Sequence, residues 1–150
     1  ILSLMEVSSK EIEYNHITVL LFFIPLLYSL YLECQLYAVI NMTWLITGFS
    51  YHFTYFVKGD LSNIVVFLRC IDIIAVHYLI PYIIYHSTYH NYYYYIGMGS
   101  VLLLITIYYF NLIDVKHKVI HIIASFGVFN AINSCYLNKE NCELCNNKYF

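Results

Sequence analysis

Charge is what this sequence has least of. Only 11% of its 150 residues are charged, with a net charge of -2 and a single arginine, Arg69. Soluble domains carry about 25% charged residues. So few basic groups exclude a nucleic-acid protein, which must neutralise phosphates. Low charge with high hydrophobicity also excludes a disordered chain. Glycine (5) and proline (2) are scarce as well. What is present instead is apolar surface: 61% of residues are hydrophobic, against roughly 45–50% in soluble domains, and the mean hydropathy is +0.67. These values point to an integral membrane protein. Tyrosine is abundant at 18 residues, including the run Tyr92–Tyr95. Aromatic side chains collect at membrane interfaces, and this run is given no catalytic role.

The few charges are also unevenly placed. Between Glu13 and Lys58 the only one is Glu33, and between Asp60 and Asp114 there are only Arg69 and Asp72. None lies between Val119 and Asn138. A bilayer core accepts about 20 apolar residues as helix, and runs such as Ile17–Leu21 and Val101–Ile107 lack the alternation of a barrel strand. The expectation is an all-α membrane bundle of about five transmembrane helices, near residues 17–32, 36–57, 61–85, 92–112 and 116–137. Pro25 falls inside the first, and Pro81 is expected to bend the third. The polar stretch His86–Asn91 makes a turn. Short connections make consecutive helices antiparallel neighbours. The chain reads as one membrane domain, with a polar N-terminal segment (1–16) and a cysteine-containing tail (138–150). The first span lies too deep, with the wrong flanks, for a cleaved signal peptide. A start at Ile1 rather than Met points to a short missing upstream piece.

Lys10, Lys58, Lys116 and Lys118 fall on one side, and Lys139 and Lys148 on the other. The positive-inside rule therefore favours a cytoplasmic N-terminus, in an endomembrane or the plasma membrane. Cys34, Cys135, Cys142 and Cys145 would then share the exoplasmic, oxidising side, where they form two disulfides in any of three connectivities. The rival is a zinc knuckle on Cys142 and Cys145, and the plainest alternative is unpaired thiols. Cys70 falls mid-membrane.

Ionisable residues inside a span are costly and are functional candidates. Here they are His52, Arg69, Asp72, His77, His117 and His121. By helix rise, His52, Asp72, His117 and His121 fall in one half of the membrane. His117 and His121 form an HxxxH pair on one helix face. With His52 they make a set of three histidines, the pattern of a catalytic zinc with an open water position. Asp72 would hold that water or accept its proton. Plainer readings stand beside this one. HxxxH recurs at His86 and His90, which reads as interfacial. His117 sits between two lysines, as a solvated residue would. His52 could be interhelical glue, and Arg69 and Asp72 could simply neutralise each other.

Thr47-Gly48-Phe49-Ser50-Tyr51-His52, then Arg69-Cys70-Ile71-Asp72, then His117-x-x-x-His121, resemble the pattern of the CREST superfamily. That group includes alkaline ceramidases, progestin and adiponectin receptors, and myomaker-like proteins. The resemblance runs from about Leu36 to Leu137. It implies zinc (Zn2+) held by His52, His117 and His121, with Asp72 close to the zinc-bound water. The chain departs from the family in two ways. The family has seven helices, not five, and its Ser, four residues before the His, is replaced by Gly48. Thr47 and Ser50 are the nearest hydroxyls. Ser50 is about 200° around the helix from His52 and Thr47 is closer in angle.

The leading expectation is an intramembrane zinc-dependent hydrolase of a lipid amide or ester, ceramidase-like. Its nucleophile is zinc-activated water, and Asp72 shuttles the proton. Its partner is a membrane lipid substrate, ceramide-like or another acyl lipid; a second copy would serve if five helices leave the lipid pocket open. The alternatives are a non-enzymatic, metal-stabilised multi-pass protein, a bis-histidine haem protein using His52 or His77 with His121, and a cofactor-free channel or assembly subunit. Haem needs a pocket lined with small residues, and glycine is scarce.

Overall fold

The structure is a computed structural model that describes residues 15–58, 62–86, 91–110, 117–142 and 144–145. The polar segment at 1–14 and His90 lie outside the described residues. Every regular element among them is helical. Helix α1 (Asn15–Thr18), a 3-10 turn (Val19–Phe22) and α2 (Phe23–Tyr31) follow without a break and make the first span. Then come α3 (Gln35–Lys58), α4 (Asn63–His86), α5 (Tyr92–Phe110) and α6 (His117–Tyr136). The helices agree with the expected spans to within a few residues, and α4 stays helical through position 81.

Pro25 accounts for the 3-10 turn within the first span. Proline has no N–H for the carbonyl four residues back, and its ring crowds that carbonyl. Here the carbonyl belongs to Leu21, inside the 3-10 turn. Another helix satisfies it: Ser125 Oγ on α6 donates to Leu21 O at 3.0 Å.

That bond is one of a series. Thr18 Oγ1 meets His121 Nδ1 at 2.8 Å, Tyr28 Oη donates to Asn133 Oδ1 at 2.6 Å, and Lys139 Nζ reaches Leu32 O at 3.5 Å. Partners advance together, so the first span and α6 run parallel. From Thr18 to Leu21 the chain takes three steps while α6 takes four, from His121 to Ser125. A 3-10 helix rises about 2.0 Å per residue and an α-helix about 1.5 Å. Both segments therefore cover roughly 6 Å, and the 3-10 turn keeps the two spans in register.

On its other side the first span packs against α3, and α4 packs against α3. Trp44 Nε1 of α3 donates to Ala75 O of α4 at 3.4 Å. At the opposite edge, α5 lies on α6 through small residues. A Cβ built on Gly127 would stand 2.9 Å from Ser100 Cβ, and one on Gly97 would stand 3.4 Å from Gly127 O. Asn91 caps α5, its Oδ1 accepting from Tyr94 N–H at 2.9 Å, while its Nδ2 donates to Ser134 O on α6 at 3.2 Å.

The order across the bundle is thus α4, α3, first span, α6, α5. The expectation that all consecutive helices are neighbours is corrected at one junction. Among the described residues, α4 and α5 share no substantial seam. Each edge helix has a specific dock elsewhere, α4 on Trp44 and Gly48 and α5 on the small-residue face of α6.

Four cysteines close one end. Cys34, just before α3, is bonded to Cys145, and Cys135, in the last turn of α6, to Cys142. Of the three open connectivities this is the one formed, and the zinc-knuckle alternative falls with it. Cys70 is free and exposed. The turn before Cys34 is tight: Cys34 N donates to Ser29 O at 2.8 Å and Glu33 N to Leu30 O at 3.0 Å, a Schellman closure. It puts Glu33 at φ 58°, a left-handed conformation usually given to glycine. Glu33 instead forms an ion pair with Lys139 at 3.6 Å.

Among the described residues one stretch, Val119–Tyr136, is long and apolar enough to cross a membrane. Shorter apolar helices run over Val19–Tyr31 and Tyr92–Ile107.

Candidate functional site

The site is built where the first turn of α6, the first span and the last third of α3 meet. His52 and His121 are both buried. They come from positions 69 residues apart, yet their ring centroids lie 5.0 Å apart at an interplanar angle of 79°. The reason is register. Gly48 and His52 lie one turn apart on the face of α3 turned toward the first span, where Val19 Cγ2 reaches the Gly48 backbone. His121 is fixed on α6 by Thr18. Phe22 stands edge-on to His121 at 6.3 Å and tilted to Trp44 at 5.8 Å, walling the pair on the first-span side.

Asp72 arrives from α4. Its Oδ1 lies 3.4 Å from where a Cβ on Gly48 would stand, one turn from His52. The Trp44–Ala75 bond sets this register, since Trp44 precedes Gly48 by one turn and Ala75 follows Asp72 by three residues in antiparallel helices. The Thr47 hydroxyl has three acceptors in reach: Thr43 O at 3.0 Å, Trp44 O at 3.3 Å and the Asp72 carboxylate. Among the described residues no ion pair joins Arg69 to Asp72, so the mutual-neutralisation reading does not describe them.

The sequence-derived candidates therefore divide. His52, His121, Asp72 and Thr47 come together. Ser50, about 200° around α3 from His52 by helix period, is half-buried. His117 opens α6 one turn before His121, and its side chain lies outside the described residues, as does that of His86. His77 is exposed and its Nδ1 is engaged with Ile73 O of its own helix at 2.8 Å, away from the pair. Thr18 and Ser125 were missed. Hydroxyls inside apolar runs were the available signal, but without the parallel register nothing assigned them to His121 or Leu21.

The fit to a metal ion can be tested on the pair itself. Zinc–nitrogen bonds of about 2.0–2.1 Å at tetrahedral angles put two imidazole centroids roughly 5 Å apart. The observed 5.0 Å agrees. Axial ligands on opposite faces of a haem would stand roughly 6 Å apart with the macrocycle between them. The separation is compatible with one small ion between the rings, and equally with two imidazoles packed edge to face. Among the described residues no group of three His, Cys, Asp or Glu side chains is gathered closely enough to hold a metal. Comparison with family models, curated proteins and solved structures returns no match to this chain.

Proposed function

We propose that this chain is a multi-pass membrane protein with a zinc site on His52, His121 and His117, acting as a hydrolase of lipid amides or esters. The observation that carries the reading is the 5.0 Å approach of His52 and His121, with the Asp72 carboxylate one turn away. The bundle exterior supports the membrane placement. Helices α3 and α4 have 24 residues each, about 36 Å at 1.5 Å per residue and enough for a hydrocarbon core of about 30 Å. Outward-facing side chains are large and apolar on every span, among them Leu27, Ile46, Phe67, Leu102 and Phe126. Water would make that surface a liability; lipid makes it ordinary. The disulfide-closed end suits an oxidising compartment, which supports a cytoplasmic N-terminus.

When bound, zinc would supply Lewis-acid polarisation and an activated water. His52 and His121 would hold it, His117 one turn earlier completing the set. Asp72 would accept a proton at its carboxylate and return it to the leaving group, and Thr47 would orient that carboxylate. A lipid substrate would reach the buried pair sideways between helices.

One observation favours a second reading, a zinc clamp without turnover. Where the resembled family has its Ser, a Cβ on Gly48 would meet Val19 Cγ2 at 2.8 Å, so a serine there is sterically replaced by packing. The deciding experiment uses detergent-purified protein: zinc content of wild type and His121→Ala, then release of fatty acid from ceramide and other acyl lipids by wild type and Asp72→Asn. The hydrolase reading expects about one zinc per chain, lost in His121→Ala, and turnover abolished in Asp72→Asn while zinc stays bound. Zinc without turnover of any acyl lipid leaves the clamp. Absence of zinc from wild type prepared without chelators overturns both.

A further inference from the structure

We infer that Thr18 is a positioning residue for the metal site: it fixes the His121 ring and its tautomer, so that Nε2 is the nitrogen offered toward His52. The inference rests on the zinc reading above. Thr18 Oγ1 lies 2.8 Å from His121 Nδ1, joining residues 103 positions apart. His121 is buried, and the hydroxyl can donate to Nδ1 or accept from Nδ1–H, so the tautomer follows from where the threonine's own proton goes. A helical threonine commonly gives its own proton to a carbonyl three or four residues back. With its proton given up in that way, its lone pairs accept from Nδ1–H, and Nε2 is the ring nitrogen that carries no proton. A neutral imidazole with one bare nitrogen is what a metal ligand must be. Metal-ligating histidines typically donate their other N–H to an outer partner that holds the ring in place.

The local fold makes Thr18 available for this role. The 3-10 turn that follows it matches three residues of the first span to four of α6, so the Leu21–Ser125 bond and the Thr18–His121 bond form together. Phe22, at the end of the same turn, packs edge-on against His121 at 6.3 Å. A hydroxyl and an aromatic ring from one short segment therefore set the imidazole's plane.

The test measures zinc affinity of the full chain in detergent by competition with a chelator, for wild type, Thr18→Val, Thr18→Ser and Ser125→Ala. Outer-partner substitutions typically cost about 10–100-fold in metal affinity. Thr18→Val should weaken zinc binding by that factor, and Thr18→Ser should restore it. Ser125→Ala breaks the neighbouring tie on the same seam and should leave affinity near wild type. Imidazole nitrogen shifts of the zinc-free protein give an independent reading. His121 should carry its proton on Nδ1 in wild type and Thr18→Ser, and lose that preference in Thr18→Val. Unchanged affinity in Thr18→Val, or an equal loss in Ser125→Ala, would overturn the role. If wild type binds no zinc, the metal reading fails instead, and the nitrogen shifts still decide whether Thr18 sets the tautomer.

Discussion

Replacing Gly127 by alanine tests the close contact between α5 and α6. A Cβ at this position would stand 2.9 Å from Ser100 Cβ, where carbon atoms at rest keep about 3.5–4.0 Å. Neither atom can rotate away, because each Cβ is fixed to its own backbone. α5 and α6 would therefore have to separate by roughly 0.6–1 Å. Overpacking of this kind costs about 1–3 kcal/mol. Alanine is favoured over glycine within a helix by up to about 1 kcal/mol, so the net loss is about 1 kcal/mol. For a chain of this length that lowers Tm by roughly 2–4 °C, read by circular dichroism in detergent. The decisive comparison is a double-mutant cycle. With Ser100→Gly in the background the clash partner is gone, and Gly127→Ala should become neutral or stabilising, a coupling of about 1–3 kcal/mol. A rise in Tm on Gly127→Ala in the otherwise native chain would refute the close approach of α5 and α6.

Ser125→Ala removes the side-chain donor that α6 gives to Leu21 O and should cost about 1 kcal/mol by thermal unfolding. With Pro25→Ala, an N–H returns to that carbonyl, and the cost of Ser125→Ala should shrink; equal costs in both backgrounds would disprove the proline-driven origin of the bond. The two disulfides should differ in weight. Loop-entropy reasoning gives about 5 kcal/mol for Cys34–Cys145, which closes 111 residues, and about 2 kcal/mol for Cys135–Cys142, which closes 7. Denaturant midpoints of the paired Cys→Ser variants should follow that order, and the reverse order would count against it.

Much of this fold could be read in the chain because charge is so sparse. The gaps between Glu13, Glu33, Lys58 and Asp114 bracket the helices closely, and the four pairing cysteines were placed at one end from span boundaries alone. The candidate site was legible to the extent that helix rise governs it: His52, Asp72 and His121 were assigned to one half of the bundle and do converge. What sequence periodicity could not supply is lateral order. Short connections alone make α4 and α5 neighbours, whereas Trp44 and the small residues at Gly97, Ser100 and Gly127 send them to opposite edges. Thr18 went unnoticed for the same reason. Its bond to His121 depends on parallel register between two spans separated by most of the chain, and on a 3-10 turn that only Pro25 and its three-dimensional consequences explain.

Among the described residues α6 is the one helix long and apolar enough to cross a membrane, and it also has the most polar interior. His121, Ser125, Asn130 and Ser134 are all buried, and His121, Ser125 and Asn133 bond to the first span. In lipid, apolar contact between helices gains little over contact with acyl chains, so polar links and close packing hold a bundle together. Substituting His121 therefore removes a structural tie as well as a proposed ligand, and loss of function in His121→Ala would not by itself distinguish them. Linkage does. A ligand bound only by the native state stabilises it by about 2.7 kcal/mol at a hundredfold excess over Kd, roughly 5–11 °C in Tm at this chain length. Wild type should gain that shift on adding zinc. His121→Ala should begin somewhat lower and gain nothing, whereas Ser125→Ala should begin lower and gain the full shift. Equal zinc shifts in all three proteins would place the metal away from His121.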